Sequence, residues 1–174
     1  GMLSTFGALP ESVVRLYVKD MLTGLSYLHE HNIVHCDIKP HNALLTHDGS
    51  CKLSDFGSAL LTKKQHVAAG GDEAILRGTS WYLAPEAARN EFTPAIDIWS
   101  LGVTVLELLT GEIPWNVKFG ENQFLMKLVR DESMVPTIPA SLSLVAADFC
   151  RACVHRDPTR RPTAQQLLLM AFIS

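Results

Sequence analysis

The chain has 174 residues and a formal net charge of −3, and 47% of its residues are hydrophobic. That length is sufficient for one domain with a packed core, and the near balance of charge argues against charge-driven binding to nucleic acid or membranes. There is no apolar run approaching the ~18 residues of a membrane span, and no signal-peptide pattern opens the sequence. We therefore expect one domain over residues 1–174, with no nucleic-acid or membrane partner.

The first predicted elements are a long helix and a hairpin. Pro10-Glu11-Ser12 is typical of a helix start, and the apolar pattern that follows continues to about His31. Three- and four-residue steps separate its apolar positions: Val14, Tyr17, Val18, Met21, Leu25 and Leu28. Two short apolar runs, Ala43–Leu45 and Cys51–Leu53, then flank Asp48-Gly49, which indicates a β-hairpin. Such a hairpin brings the residues before it close to the residues after it.

The remaining pattern is mainly helical. Residues 58–80 show no periodicity, and the Ala68–Gly71 tract predicts mobility. Ile96–Leu109 is apolar nearly all round, which indicates a helix buried on every side. Weaker helical patterns lie near Gln123–Val129, Leu144–His155 and Ala164–Phe172. The expected fold class is therefore mainly α, with one small β-hairpin.

The cysteines indicate packing rather than a disulfide framework. There are 4 of them in the whole chain, too few for a disulfide scaffold of this size. Cys150 and Cys153 have the spacing of a redox or zinc motif, but they lie in an apolar, helical pattern and no second pair exists. Core packing is the favoured interpretation, and a reducing, cytoplasmic setting is the simplest expectation.

Two short motifs carry the chemistry. The loop His35–Asn42, between the first helix and the hairpin, holds an acid, a base and an amide at Asp37, Lys39 and Asn42. It resembles the catalytic loop of protein kinases, H-R-D-x-x-x-x-N, except that Cys36 replaces the arginine. After the hairpin comes Asp-Phe-Gly at residues 55–57, which resembles the D-F-G motif of the same family.

The resemblance implies a role for each of these residues in phosphoryl transfer from ATP. Asp37 would accept the proton of the attacking hydroxyl, and Lys39 would contact the transferring phosphate, as in serine/threonine kinases. Asn42 and Asp55 would be Mg²⁺ ligands, since this ion prefers hard oxygen donors. Leu44 would form part of the floor under the adenine. ATP and Mg²⁺ are thus the expected cofactors.

Later motifs extend the resemblance. Thr79 follows Gly78 at the place where such kinases bond the catalytic Asp and Lys, so it is expected to tie Asp37 to Lys39. Residues 80–85 would shape the pocket for the substrate residue after the phosphorylated one. Ala84-Pro85-Glu86 resembles the A-P-E motif.

Two further motifs are expected to support the site. Residues 97–102 resemble D-x-W-S-x-G, and the resemblance implies that Asp97 accepts backbone N–H groups near His35 and Cys36. A helix-terminal acid is the plainer alternative for Asp97, and both can hold. Residues 157–162 resemble D-P-x-x-R-P, which implies that Arg161 pairs with Glu86 inside the fold.

The resemblance covers the whole chain but only the C-terminal helical lobe of a kinase. The sequence looks most similar to mitogen-activated protein kinase kinase kinases and related Ste-type kinases, although Ser80-Trp81-Tyr82-Leu83 departs from their pattern. No glycine-rich loop or strand-borne lysine precedes His35, so we expect a truncated kinase domain that is inactive alone. The complete protein is expected to be a serine/threonine kinase acting in signal transduction on a protein substrate, such as a downstream kinase in a MAPK cascade. The alternative is a pseudokinase or scaffold lobe, which the intact motifs argue against.

The regulation predicted from the sequence is unusual. Cys36 stands where many kinases carry an arginine that receives an activating phosphate, making this a non-RD type, and residues 63–78 contain no Ser, Thr or Tyr. Asp72-Glu73 could replace such a phosphate by pairing with Lys63 or Lys64. We therefore expect activity without phosphorylation of this segment; the alternative is drift in an inactive protein.

Overall fold

A computed structural model describes residues 7–62, 78–116 and 118–174. These ranges contain five α-helices: α1 (Glu11–Glu30), α2 (Pro94–Thr110), α3 (Glu121–Arg130), α4 (Leu144–Cys153) and α5 (Ala164–Leu168). They also contain four short strands: β1 (Ile33–Val34), β2 (Ala43–Leu45), β3 (Cys51–Leu53) and β4 (Leu60–Leu61). The fold is mainly helical with small sheets, as the sequence predicted. The Ala68–Gly71 tract, Lys63, Lys64 and Asp72-Glu73 lie outside the described ranges.

Helix α1 forms where its apolar periodicity predicts it. One stripe of side chains is buried, comprising Val14, Val18, Met21, Leu22, Leu25 and Leu28. Tyr17, also predicted to face inward, is partly buried against the same core. The helix ends where Asn32 adopts a left-handed φ of 61°, a conformation that Asn accepts more readily than most residues. This turn directs the chain into β1 and the loop that follows.

Two antiparallel strand pairs hold the site residues. In the predicted hairpin, Ala43 pairs with Leu53 and Leu45 pairs with Cys51. The second pair joins β1 to β4, with Ile33 opposite Leu61. Strand β4 lies in the region where the sequence shows no periodicity, because two residues are too short to display an alternating pattern. Together the pairs flank the His35–Asn42 loop on both sides.

Helix α2 is the centre of the core. All side chains from Ile96 to Leu108 are buried, in agreement with the prediction of a helix covered on every side. The helix begins with Pro94 and ends at Gly111, whose φ is 79°. A Cβ on Gly111 would approach the backbone nitrogen of Ala8 to 2.8 Å, so the end of α2 packs tightly on the N-terminal segment. Helices α1 and α4 pack against α2.

The C-terminal helices follow the predicted order with one correction. Helix α5 ends at Leu168 instead of continuing to Phe172. Its N-terminus is a capping box, in which Thr163 accepts the N–H of Gln166 and the Gln166 side chain accepts the N–H of Thr163. The segment after Leu168 turns so that Phe172 can enter the core, where its ring centroid lies 4.9 Å from that of Phe149. Tertiary packing thus overrides the helical pattern at the end.

The Cys150–Cys153 pair belongs to the core, as favoured from the sequence. Both side chains are fully buried on α4, and a Cβ on Gly102 of α2 would lie 2.6 Å from that of Cys153. Burial raises the pKa of the Cys150 thiol to about 12 and that of Cys153 also well above its ordinary value, so both are inert thiols at neutral pH. Among the described residues, no cluster of three or more His, Cys, Asp or Glu side chains could hold a metal ion. Nor does this part of the chain include a helix long and apolar enough to cross a membrane.

Candidate active site

The loop containing Asp37 is attached to the buried helix α2 through Asp97. The Asp97 side chain is fully buried, and its two carboxylate oxygens accept the backbone N–H groups of His35 and Cys36, each at 2.9 Å. A buried carboxylate is costly unless it is hydrogen-bonded, and these bonds meet that requirement. The tether expected from the resemblance is therefore present, and it fixes the start of the loop on the buried helix α2.

Asp97 also contacts a third group, the imidazole of His29, which was not expected from the sequence. The Nε2 atom of His29 lies 2.9 Å from the same carboxylate, and its side chain is only 12% exposed. An ionised carboxylate can only accept, so Nε2 carries the proton. Helical spacing could have indicated only that His29 faces inward, because it follows Leu25 by one turn on the buried face of α1.

Asp37 is the centre of a compact hydrogen-bond cluster. One carboxylate oxygen accepts both the backbone N–H and the hydroxyl of Thr79, each at 3.0 Å. The other accepts the Lys39 ammonium at 2.7 Å and the Asn42 amide at 2.9 Å. The Lys39 Nζ also donates to the Thr79 hydroxyl at 2.7 Å. The structure thus brings together four of the predicted site residues, three from one loop and one from a distant segment.

This environment keeps Asp37 ionised. Burial by itself would raise the pKa of the carboxyl group, but the hydrogen bonds and charge of Lys39, with further hydrogen bonds from Thr79 and Asn42, lower it below its ordinary value. The carboxylate is therefore available to accept a hydrogen bond or a proton across the neutral pH range. Its orientation is set by donors on both oxygens, so little reorganisation is needed for chemistry.

Asn42 and Asp55 lie at opposite ends of the hairpin. The Asn42 amide nitrogen donates to both the backbone and the side chain of Asp37, while its amide oxygen accepts no hydrogen bond within the described residues. Ser54 donates its N–H to the Asn42 backbone oxygen at 2.9 Å, which draws the residue before Asp55 up to the loop. Asp55 is solvent-exposed and has a left-handed φ of 62°. Leu44, expected beneath an adenine ring, is 53% exposed on β2.

The donor set fits a magnesium–nucleotide complex. Mg²⁺ is usually held by one or two protein oxygen ligands together with substrate phosphates and water. The unused amide oxygen of Asn42 and the exposed carboxylate of Asp55 are donors of this kind. Among the described residues, one oxygen of Asp55 accepts only the Gly57 N–H at 3.3 Å, which leaves most of the carboxylate's capacity open to a ligand.

The segment after Thr79 is held by α2. Ser100 donates to the backbone oxygen of Tyr82 at 2.7 Å, and the Tyr82 hydroxyl donates to Glu107 at 2.5 Å. Burial, followed by the hydrogen bond to Glu107, raises the pKa of Tyr82. Burial also raises the pKa of Glu107, although its hydrogen bond with Tyr82 opposes this. On the other side, the indole of Trp115 donates to the Trp81 backbone oxygen at 2.8 Å. Ser100 and Trp115 therefore hold residues 80–85 against the helical core, and all of these residues except Trp81 are buried.

The predicted ion pair closes this segment. Arg161 binds Glu86 with both guanidinium nitrogens, the second at 2.9 Å, and both side chains are buried. Arg161 also donates to the backbone oxygens of His155 and Ala95 and lies over the Trp99 ring, 4.9 Å from its centroid. The pair joins the end of the Thr79–Glu86 segment to α2 and to the connection before α5.

Gly78 permits the close approach that places Thr79 on Asp37. Its φ is 89°, and a Cβ there would come within 2.3 Å of the Cys36 backbone oxygen. We expect Gly78→Ala to cost about 1–3 kcal/mol beyond the φ penalty, because the backbone must move to relieve the clash. The amide and hydroxyl of Thr79 would then leave Asp37. Chemical denaturation measures the loss of stability, and the NMR signals of Thr79 and Asp37 report the loss of the hydrogen bonds between them.

Gly49 provides the matched control. It has a similar φ of 84°, but nothing lies within 4 Å of the position its Cβ would take. Gly49→Ala should therefore lose only about 1 kcal/mol, the cost of a left-handed conformation for a residue with a Cβ. Equal losses for the two variants would contradict the assigned role of Gly78.

Comparison with known proteins agrees with the family resemblance seen in the sequence motifs. The family model described as "Protein kinase domain" matches residues 1–173. In Arabidopsis thaliana, "Mitogen-activated protein kinase kinase kinase 2" is 38% identical over 174 residues, covering 99% of this chain and 26% of the relative. "Mitogen-activated protein kinase kinase kinase 20" from the same plant is 41% identical over 171 residues, covering 95% of this chain and 49% of the relative. A Dictyostelium discoideum relative, "Mitogen-activated protein kinase kinase kinase A", is 38% identical and is covered over 18% of its length. The chain thus spans half or less of each of these relatives.

Proposed function

Because this chain belongs to the protein kinase family, we propose that it is the C-terminal lobe, residues 1–174, of a protein serine/threonine kinase that acts in signalling. The observation that carries the proposal is the cluster in which Asp37 is bonded by Lys39, Asn42 and Thr79. An Asp–Lys ion pair with no role beyond the protein surface would not need the additional hydrogen bonds from Asn42 and Thr79. The names of these relatives, mitogen-activated protein kinase kinase kinases, support a downstream protein kinase as the substrate.

In the proposed reaction, Asp37 orients a serine or threonine hydroxyl of the substrate. The hydroxyl oxygen forms a bond to the γ-phosphorus of ATP while the bond from that phosphorus to the bridging β–γ oxygen breaks, and ADP leaves. The hydroxyl proton passes to the Asp37 carboxylate, which its neighbours keep ionised. Lys39, held between Asp37 and Thr79, provides positive charge near the transferred phosphoryl group.

We further propose that Asn42 and Asp55 hold Mg²⁺ on the ATP phosphates and that Leu44 supports the adenine. The ion would supply charge neutralisation for the phosphate oxygens. Leu44, Leu45 and Phe56 are about half exposed on the strands and turn next to these ligands, which is consistent with an apolar surface that a nucleotide base and further protein can cover. The free, buried thiols of Cys51, Cys150 and Cys153 agree with a reducing, cytoplasmic location, which we include in the proposal.

The proposed lobe assignment is tested by comparing this chain alone with the complete protein that contains it. Each is purified and incubated with Mg²⁺, radiolabelled ATP and a generic Ser/Thr substrate. We expect negligible phosphoryl transfer by residues 1–174, because this sequence contains no glycine-rich loop or phosphate-binding lysine to hold the ATP phosphates in position. Transfer to Ser or Thr is expected from the complete protein.

The two outcomes that contradict the proposal have different meanings. Robust transfer by this chain alone would overturn its assignment as a partial kinase domain. No transfer by the complete, folded protein would favour the pseudokinase or scaffold alternative. Both preparations are checked by circular dichroism and thermal unfolding, so that a loss of fold is distinguished from a loss of chemistry.

We also propose that the complete kinase is of the non-RD type and does not require phosphorylation between residues 58 and 80. The Cys36 thiol lies within 3.6 Å of the Val34 backbone oxygen in a buried position and carries no charge for a phosphate. Treating the complete enzyme with a phosphatase is expected to leave its rate nearly unchanged. A large loss that is restored by rephosphorylation within residues 58–80 would overturn this proposal.

A further inference from the structure

A groove away from the Asp37 cluster has the size and chemistry of a ligand site. Its volume is about 530 Å³, within the range of roughly 300–1,000 Å³ typical of small-molecule pockets. It lies between the end of α1, the start of α2 and the connection into α5. Its walls are largely apolar, with side chains from Pro94, Ala95, Ile98, Pro158, Pro162 and Ala164. Such walls suit a flat apolar ligand body.

The groove is preformed, because hydrogen bonds cross between its walls. Gln165 of α5 donates to Glu30 of α1 at 2.6 Å. His29 of α1 bonds to Asp97 of α2, and Arg161 donates to the Ala95 backbone oxygen of α2 at 2.8 Å. A site whose walls are already joined loses little conformational entropy when a ligand enters.

Two polar atoms of the groove, one on His29 and one on Glu30, have no hydrogen-bond partner among the described residues. The Nε2 atom of His29 is used on Asp97, and no described residue makes a hydrogen bond with its Nδ1. One carboxylate oxygen of Glu30 accepts Ser26 and Gln165, and the other accepts nothing in the described chain. The single cation of the lining, Arg161, uses its guanidinium nitrogens on Glu86 and on backbone oxygens. A ligand with a positively charged donor group would complement these two atoms and the Glu30 carboxylate.

We propose that this groove binds a small organic cation, with an aromatic or aliphatic body against the apolar walls and an ammonium group at Glu30 and His29. The lining includes no strand residue and so offers no sheet edge to a peptide backbone, which favours a small molecule over an extended peptide. Binding is linked to the Asp37 loop, since an ammonium that donates to Nδ1 of His29 polarises the bond from Nε2 to Asp97. Asp97 in turn holds the N–H groups of His35 and Cys36.

The test uses tryptamine and its neutral analogue tryptophol, in which a hydroxyl replaces the amine. Each is titrated into the isotopically labelled 174-residue chain and followed by NMR amide shifts. A ligand as small as tryptamine is expected to bind with a Kd on the order of 1 mM. Tryptamine should shift groove residues such as Glu30 and Gln165 and, through His29, the amides of His35 and Cys36. Tryptophol should bind more weakly.

Three variants separate the contributions. Glu30→Gln should weaken tryptamine about threefold to fivefold, as expected for a partly exposed ion pair, and leave tryptophol unchanged. Thr93→Phe should block both ligands, because Thr93 lines the groove and makes no capping hydrogen bond that α2 would lose. Glu132→Gln, an exposed carboxylate outside the groove, is the control and should change neither.

Three results would contradict the inference or its link to the loop. Equal binding of tryptamine and tryptophol, or tryptamine shifts that remain in Thr93→Phe, would exclude a cation site in this groove. Groove shifts without any change at His35 and Cys36 would exclude the link to the catalytic loop. Thermal unfolding of each variant confirms that a lost signal reflects lost binding.

Discussion

Asp37→Asn is expected to lower kcat of the complete kinase by about 10²–10⁴-fold, the range typical of losing a general base. An amide cannot take the proton of the substrate hydroxyl. Its NH₂ group would also face donors, because Lys39, Asn42 and Thr79 all donate to the present carboxylate. Steady-state kinetics with saturating ATP measures the effect.

Asp55→Asn is expected to abolish turnover and, in addition, to weaken Mg²⁺-dependent nucleotide binding.

Asp48→Asn is the matched control. Asp48 is an exposed carboxylate in the turn of the β2–β3 hairpin, and its hydrogen bonds within the described ranges come from Thr46 and Ser50. Its replacement should leave kcat unchanged while altering the same residue type on the same hairpin. Near-normal turnover in Asp37→Asn or Asp55→Asn would show that the role proposed for that residue is wrong.

Arg161→Ala is expected to lower the free energy of unfolding by about 3–5 kcal/mol, the cost of breaking a buried ion pair. The carboxylate of Glu86, only 4% exposed, would be left without its bidentate partner. The variant also loses hydrogen bonds to two backbone oxygens and the stacking on Trp99. Urea denaturation measures the loss, and the melting temperature should fall on the order of 10 °C.

The neighbouring residue provides the comparison. Arg160 is exposed at the end of a short 3₁₀ turn, and its side chain makes no ion pair within the described part of the chain. Arg160→Ala should change stability by no more than about 0.5 kcal/mol, as is usual for surface substitutions. If the two alanine variants were equally stable, the buried pair would not have the structural weight assigned to it.

Elements with a strong local pattern were predictable from the sequence. The repeated apolar steps of α1, the turn at Asp48-Gly49 and the all-apolar stretch of α2 each identify an element without knowledge of the rest of the chain. Strand β4 and the end of α5 were not, because one is too short to show a period and the other yields to the packing of Phe172. Local pattern fixes an element's existence better than its ends.

The residues of the candidate site were likewise predictable from the sequence only in part. Asp37, Lys39 and Asn42 lie close in sequence, so one motif identified them; their proposed roles and that of Asp55 remain predictions. Contacts between distant segments have no local signature: the Tyr82–Glu107 and His29–Asp97 bonds became visible only in the structure. The Asp97 tether and the Glu86–Arg161 pair were expected through family resemblance alone.

The burial of α2 has a consequence for synthesis of the protein on the ribosome. Its side chains from Ile96 to Leu108 are shielded largely by α1, already made when α2 emerges, and by α4, which begins only at Leu144. At translation speeds of about 5–20 residues per second, the nascent chain presents an incompletely covered apolar helix for seconds before α4 emerges. During that interval the half-made lobe is a target for chaperones and for aggregation, and slowing translation between α2 and α4 would prolong the exposure.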